Sequence, residues 1–162
     1  MDMPAIVALE RSAEHLACDL RGAWQFGRRV STGETMEGTA SFTAQPDGSL
    51  HYREAGEMTL ANGGRYRFER SYFYWFSNRA LTIDFDEQPR RLFETVPLAW
   101  TGQGWFGEAE HDCAADIYRS SYRFDADGAF EIVHRVSGPR KAYDITTEYS
   151  RLDASGAKTH LE

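Results

Sequence analysis

The sequence predicts an all-β protein, a closed antiparallel up-and-down barrel of about ten strands with a short N-terminal helix. Three observations carry this reading. Apolar and polar residues alternate at period two through most of the chain, as they do in strands with one buried face. Turn signals containing Gly separate the alternating runs at short intervals. Strands joined in simple succession by tight turns pair with their chain neighbours, and closing such a meander removes its exposed edges. An open sandwich is the alternative.

The chain has 162 residues, the size of one domain with room for a real core. Without a repeat or a Pro/Gly/Ser linker, residues 1–160 read as a single barrel domain, and Leu161-Glu162 as tag-derived residues. Lys and Arg number 18 against 25 Asp and Glu, a formal charge of −7. With no basic stripe, nucleic acid is excluded as a partner. No apolar run approaches the roughly 18 residues of a membrane span. The stretch Ala5-Ile6-Val7-Ala8-Leu9 is too short, and lacks the basic start, for a secretory signal. The expectation is therefore a soluble, cytoplasmic protein, monomer or homodimer, with Cys18 and Cys113 reduced.

The elements follow in order. Residues 4–18 contain no Gly and place Leu9, Ala13, Leu16 and Ala17 at helical spacing. Strands are expected near 22–31, 35–45, 49–60, 65–77, 80–87, 90–98, 105–113, 116–125, 129–137 and 142–152. Pro46-Asp47-Gly48, Asn62-Gly63-Gly64 and Ala126-Asp127-Gly128 each fit a three-residue hairpin loop ending in a left-handed Gly. The first loop sets Tyr52 opposite Phe42, and Glu54 opposite Ala40. The second sets Met58 opposite Phe68, Gly56 opposite Arg70, and Glu54 opposite Tyr72. The third sets Tyr122 opposite Ile132, and Ser120 opposite His134. Most pairs match apolar to apolar, and a one-residue slip would turn every side chain to the other face.

The inferred inward face mixes apolar and polar groups. Glu54 and Arg70 fall on diagonal positions with Tyr72 nearby, either as a structural ion pair or as the polar anchor of a ligand cavity. Asp116, Tyr118, Ser120 and His134 form a second inward group. Asp116 is too far from Ser120 for a Ser-His-Asp triad. His111 and Cys113 share a face, which invites a thiolate pair or two metal ligands, but no further Cys/His pair completes a zinc set. Four inward residues at 111, 113, 116 and 118 require a bulge or bend at Ala114-Ala115. Gly138-Pro139-Arg140-Lys141 is a turn with two cations that either draws an anion or pairs with surface acids. Arg28 and Arg151 are further inward candidates. The loop from Trp100 to Trp105 and Phe106 is a lid, a hydrophobic plug or a dimer contact.

Several motifs together resemble a family of small bacterial and fungal proteins known only as a domain of unknown function with a lipocalin-like (calycin) barrel. They are Gly22-Ala23-Trp24, Leu50-His51-Tyr52-Arg53-Glu54-Ala55-Gly56, Arg70-Ser71-Tyr72, His111-Asp112-Cys113 with Asp116-Ile117-Tyr118, and Gly138-Pro139-Arg140-Lys141 with Tyr149-Ser150-Arg151. The resemblance implies a closed calycin-type barrel and brings no particular activity. The glycine-rich first strand of the haem-binding nitrobindins is missing, so no cofactor is expected.

The leading functional expectation is binding of a small, partly apolar and anionic molecule inside the barrel. Its contacts are expected from Glu54, Arg70, Tyr72, His111, Cys113, Asp116, Tyr118, His134, Arg140 and Lys141. The alternative is an acid–base enzyme of isomerase, cyclase or decarboxylase type, with His134 or Glu54 as base and Arg70 or Tyr118 as stabiliser. A third reading is a filled barrel that serves as a ligand-free interaction module.

Overall fold

The computed structural model describes residues 11–152. A 3-10 turn (Ala13–His15) and a one-turn helix α1 (Leu16–Asp19) precede eleven strands. These are β1 (Gly22–Val30), β2 (Thr35–Ala44), β3 (Leu50–Thr59), β4 (Arg65–Phe76), β5 (Ala80–Phe85), β6 (Arg91–Pro97), β7 (Ala99–Trp100), β8 (Gly104–Cys113), β9 (Asp116–Asp125), β10 (Phe130–Ser137) and β11 (Ala142–Arg151). The eleventh, unexpected strand is β7, a two-residue edge piece on β8.

Every strand pairs antiparallel with its chain neighbours except at one place, and the two ends of the meander also pair. β1 pairs with β11, and β6 does not pair with β7. The barrel is therefore nearly closed, with a seam where β6 lies against β8 without a hydrogen-bonded ladder. Close approach at the seam depends on Gly107, since a Cβ there would lie 2.0 Å from the Pro97 carbonyl oxygen.

The tight hairpins share one construction. In Pro46-Asp47-Gly48, Ala61-Asn62-Gly63 and Ala126-Asp127-Gly128 the Gly is left-handed, at φ +95°, +95° and +106°. In each, the Asp or Asn side chain accepts a hydrogen bond from the backbone N–H two residues on, at 2.9, 2.9 and 3.1 Å. The first and third registers match the sequence reading. The second is corrected: its left-handed residue is Gly63, not Gly64, so the loop begins at Ala61. Met58 faces Tyr66, Gly56 faces Phe68, Tyr52 faces Tyr72, and Arg70 stands directly opposite Glu54. The shift is two residues, so every side chain keeps its expected face.

The helix expected over 4–18 is shorter in its described part. Ser12 is extended and caps the Glu14 N–H through its hydroxyl, so the helical turns begin at Ala13. Residues 4–10 of that expectation lie outside the described residues, as do Leu161-Glu162. Among the described residues no helix is long and apolar enough to cross a membrane.

One end of the barrel is closed by buried apolar side chains. Leu16 and Leu20 sit over Trp24, Phe42, Leu50, Phe124 and Phe130, all buried. Trp24 donates its indole N–H to the Leu20 carbonyl at 2.8 Å and meets Phe130 edge-on at 4.8 Å. Trp105 is buried here with Trp100 against it at 5.7 Å, so of the three readings of this loop the plug is the one found. Arg151 does not enter the barrel. Its guanidinium lies 4.0 Å over the Trp24 ring and donates to the Arg21 and Asp19 carbonyls, where cations favour a helix C-terminus.

Candidate functional site

Above the aromatic floor the barrel holds a cavity of about 200 Å³. Its position follows from the register. Arg28 pairs with Thr147, His134 with Ile145, and Val136 with Tyr118, so these residues form a ring nearer the open end than Phe130 and Tyr149. Met36, Ile83, Phe93, Ile132, Val136 and Ile145 supply apolar wall. Arg28, Glu54, Arg70, Tyr72, Tyr118 and His134 supply polar groups.

The strongest polar feature is a pair the sequence did not reveal. Arg28, not Arg70, binds Glu54, with two parallel N–H···O bonds of 2.8 Å each, and donates a third to the Thr147 hydroxyl at 2.8 Å. Tyr52 donates to the same carboxylate and accepts from Tyr149 at 2.8 Å. Burial opposes the charge on both partners. For Glu54 the bonds and charge of Arg28, the Tyr52 hydroxyl and the Arg70 charge outweigh it, and its carboxyl sits below the usual range. Arg28 is likewise held above its ordinary value by Glu54. Tyr149 is pushed up to about 12, first by burial and then by the Glu54 charge. Both Glu54 oxygens are committed, to Arg28 and Tyr52.

Arg70 is left without an ionic partner among the described residues. It is exposed at the cavity wall, with its guanidinium 5.8 Å from the Phe68 ring. The paired cation is the buried one, and the exposed cation has no ion pair among the described residues.

A second network joins the expected Ser120–His134 pair to Glu94, a residue the sequence reading did not single out. A bulge opposite Ile83 and Asp84 breaks the alternation of β6, so that Phe93 lines the cavity while Glu94 is also turned inward and buried. Glu94 accepts from Ser120 at 3.1 Å and from the Tyr122 hydroxyl. Ser120 in turn bonds His134 Nδ1 at 2.8 Å, across the strand pair expected from sequence. Glu94 shares the strand parity of buried Val96, a signal that the sequence does contain.

His134 is pushed down to about 4, chiefly by burial and then by the charges of Arg28, Arg70 and His111. A histidine depressed from 6.5 binds its proton first in the unfolded chain. Its contribution to stability is thus complete above about pH 6.5 and is lost as pH falls towards 4. We expect a loss of about 3 kcal/mol across that window. Urea titrations at pH 7 and pH 4.5 check this, and an equal loss in His134→Leu would assign the acid sensitivity elsewhere.

Other expected site residues lie apart from the cavity. Ala114-Ala115 is a two-residue hairpin turn pairing Cys113 with Asp116, with Ala114 left-handed, so no strand bulge is needed. His111 stacks on Tyr118 at 5.2 Å behind Phe93, with Nδ1 buried, lacking a hydrogen bond and 3.6 Å from Glu94. The Cys113 side chain lies outside the described atoms, and Cys18 is exposed and unbridged. Asp116 pairs with Lys141 at 3.2 Å and Arg140 is exposed, so the Gly138–Lys141 turn is tied to the β8–β9 hairpin rather than to the cavity. Among the described residues no three His, Cys, Asp or Glu are grouped to hold a metal.

A model of a family of unknown function, DUF6314, matches residues 20–151, the barrel from the end of α1 to the end of β11. The chain belongs to this family. No curated protein matches it. Among solved structures, an S-type phycobiliprotein lyase, CPES, from Guillardia theta shares the fold with a TM-score of 0.60 at 8% identity, over 88% of this chain and 94% of that one. Two further solved structures are similar. EF1p2_mFAP2b bound to DFHBI gives a TM-score of 0.49 at 14% identity, covering 87% and 100% of the two chains. A fluorescence-activating β-barrel designed de novo gives 0.42 at 12%, covering 84% and 96%.

Proposed function

We propose that this family member is a lipocalin-like container that binds a small, mostly apolar anion in the barrel, with Arg70 as the counter-charge. The observation that carries the reading is the division between the two cavity arginines. Arg28 is neutralised by Glu54, whereas Arg70, exposed at the cavity wall, has no carboxylate within ion-pair distance among the described residues. The aromatic floor and the small volume limit the occupant to about one substituted ring, since a cavity of roughly 150 Å³ accepts benzene.

The test compares benzoate with toluene, read by methyl chemical shifts of Ile132, Val136 and Ile145. Benzoate is expected to bind about tenfold more tightly, the value of one exposed charge-assisted contact. Arg70→Met should erase that preference without unfolding the barrel. Equal binding of the two probes by the unmodified protein would overturn the reading.

A further inference from the structure

We infer that His134 is the hydrogen-bond acceptor that selects the ligand. Ser120 and Glu94 hold its ring with the proton on Nδ1, so the occupant is a small hydroxy-acid with an O–H for Nε2 and an anionic group for Arg70. This rests on the anion-binding reading of Arg70 and adds a second, independent demand on the ligand.

The argument is one of hydrogen counting. A carboxylate only accepts hydrogen bonds, and a hydroxyl has a single hydrogen to give. Ser120 gives its hydrogen to Glu94 at 3.1 Å. Its 2.8 Å bond to His134 Nδ1 must then run the other way, with Nδ1–H donating and Ser120 accepting. In a neutral imidazole the second nitrogen is then a bare lone pair. Nε2 makes no hydrogen bond among the described residues, and His134 lines the cavity. Phe93, whose ring lies 6.2 Å from the imidazole, offers it no donor, so this lone pair is open to a ligand that brings one.

The construction behind the ring is costly and specific. Glu94 is 4% exposed and has no Arg or Lys partner among the described residues, while Glu54 has Arg28. Burying a carboxylate that has two hydroxyl donors and a histidine 3.6 Å away, but no Arg or Lys, is unfavourable unless its bonds are used. The alternation of Glu94 with buried Val96, opposite inward Ile83 and Leu81, is what turns it inward at this level. The charged and titratable groups around His134 are Glu94 on β6, Arg28 on β1, Arg70 on β4, His111 on β8 and Tyr122 on β9. Burial first, and then the two arginines and His111, disfavour a second proton on the ring. His134 therefore meets the ligand as an acceptor at neutral pH, with Ser120 and Glu94 as positioning residues.

Two measurements test this. The first is the tautomer, from long-range proton–nitrogen correlation of nitrogen-15-labelled protein at pH 7. Protonated Nδ1 is expected, and protonated Nε2 would overturn the inference. The second compares 4-hydroxybenzoate with 4-methoxybenzoate, which keeps the carboxylate and loses the donor. The phenol is expected to bind at least about tenfold more tightly, as sites built around a polar group reject analogues that cannot pair with it. That margin should shrink in Ser120→Ala, which keeps the imidazole but frees its ring, while the preference for benzoate over toluene persists. Equal binding of the two hydroxybenzoate probes, or no binding of the phenol, would overturn the role of His134 and leave Arg70 standing. Loss of the benzoate preference in the unmodified protein would instead remove the anion reading beneath it.

Discussion

Arg28→Met is expected to destabilise the protein by about 3–5 kcal/mol, the cost of leaving a buried charge without its partner. Glu54 is 2% exposed and Arg28 7%, so water cannot take the place of the lost guanidinium. Tyr52 would still donate to the carboxylate, but two charge-assisted bonds and the bond to Thr147 would be gone. For a chain of this size the midpoint of thermal unfolding should fall by on the order of 10 °C. The double variant Arg28→Met/Glu54→Leu should recover much of the loss, because an apolar pair of similar volume needs no compensation. The pair also has a pH signature. Glu54 is held below its ordinary value, so its contribution is present above about pH 4.5 and lost as pH falls further. Denaturant titration of the three proteins at pH 7 decides the matter. A single variant as stable as the parent would show that Glu54 is satisfied without Arg28.

Gly56→Ala is expected to cost about 3 kcal/mol or more, despite adding one methyl group. Gly38 and Gly56 face each other across β2 and β3 on the inward side. A Cβ on Gly56 would lie 2.3 Å from the Glu37 carbonyl oxygen, and one on Gly38 would lie 2.2 Å from that of Ala55. The obstacles are backbone atoms, which cannot rotate aside as a side chain would. Facing glycines let the strand pair coil at this level, as the corners of closed barrels require. Gly27 is the control, because a Cβ there meets nothing within 4 Å. Gly27→Ala should be neutral or stabilising by a few tenths of a kcal/mol through the unfolded chain. Similar midpoints for the two variants would show that the β2–β3 pair can flatten without penalty.

The hairpins were legible because their signals are local. Gly48 and Gly128 fix two loops, and the pairs Tyr52–Phe42 and Ser120–His134 follow by counting. The second loop was misplaced because Gly63 and Gly64 both satisfy a left-handed position. Only the recurring position of Asp47, Asn62 and Asp127, one residue before the left-handed Gly, separates them. The partner of Glu54 was not legible. Arg28 and Glu54 are two strands apart, with β2 between them carrying Gly38 and Ala40, small residues over which two long side chains can meet. Neighbour counting reaches only the adjacent strand, where Arg70 stands. The alternation that sets Glu94 with Val96 is masked by the β6 bulge, which lets Phe93 turn inward as well. Lys141 illustrates the opposite case. Its charge suggested a ligand, and Asp116 takes it.

The order of the strands has a consequence for how the chain is connected. The sheet runs without interruption from β6 through β1 and β11 to β7, so its two edges belong to segments that are adjacent in sequence. The chain's most distant strands are stitched together by seven residue pairs between β1 and β11, while its middle is stitched least. A cut within the loop at Thr101–Gln103 severs no rung of the ladder, whereas a cut within β1 severs two ladders at once. The middle of the chain is thus where this protein tolerates new termini or an inserted segment, and the pairing of β1 with β11 is where it does not.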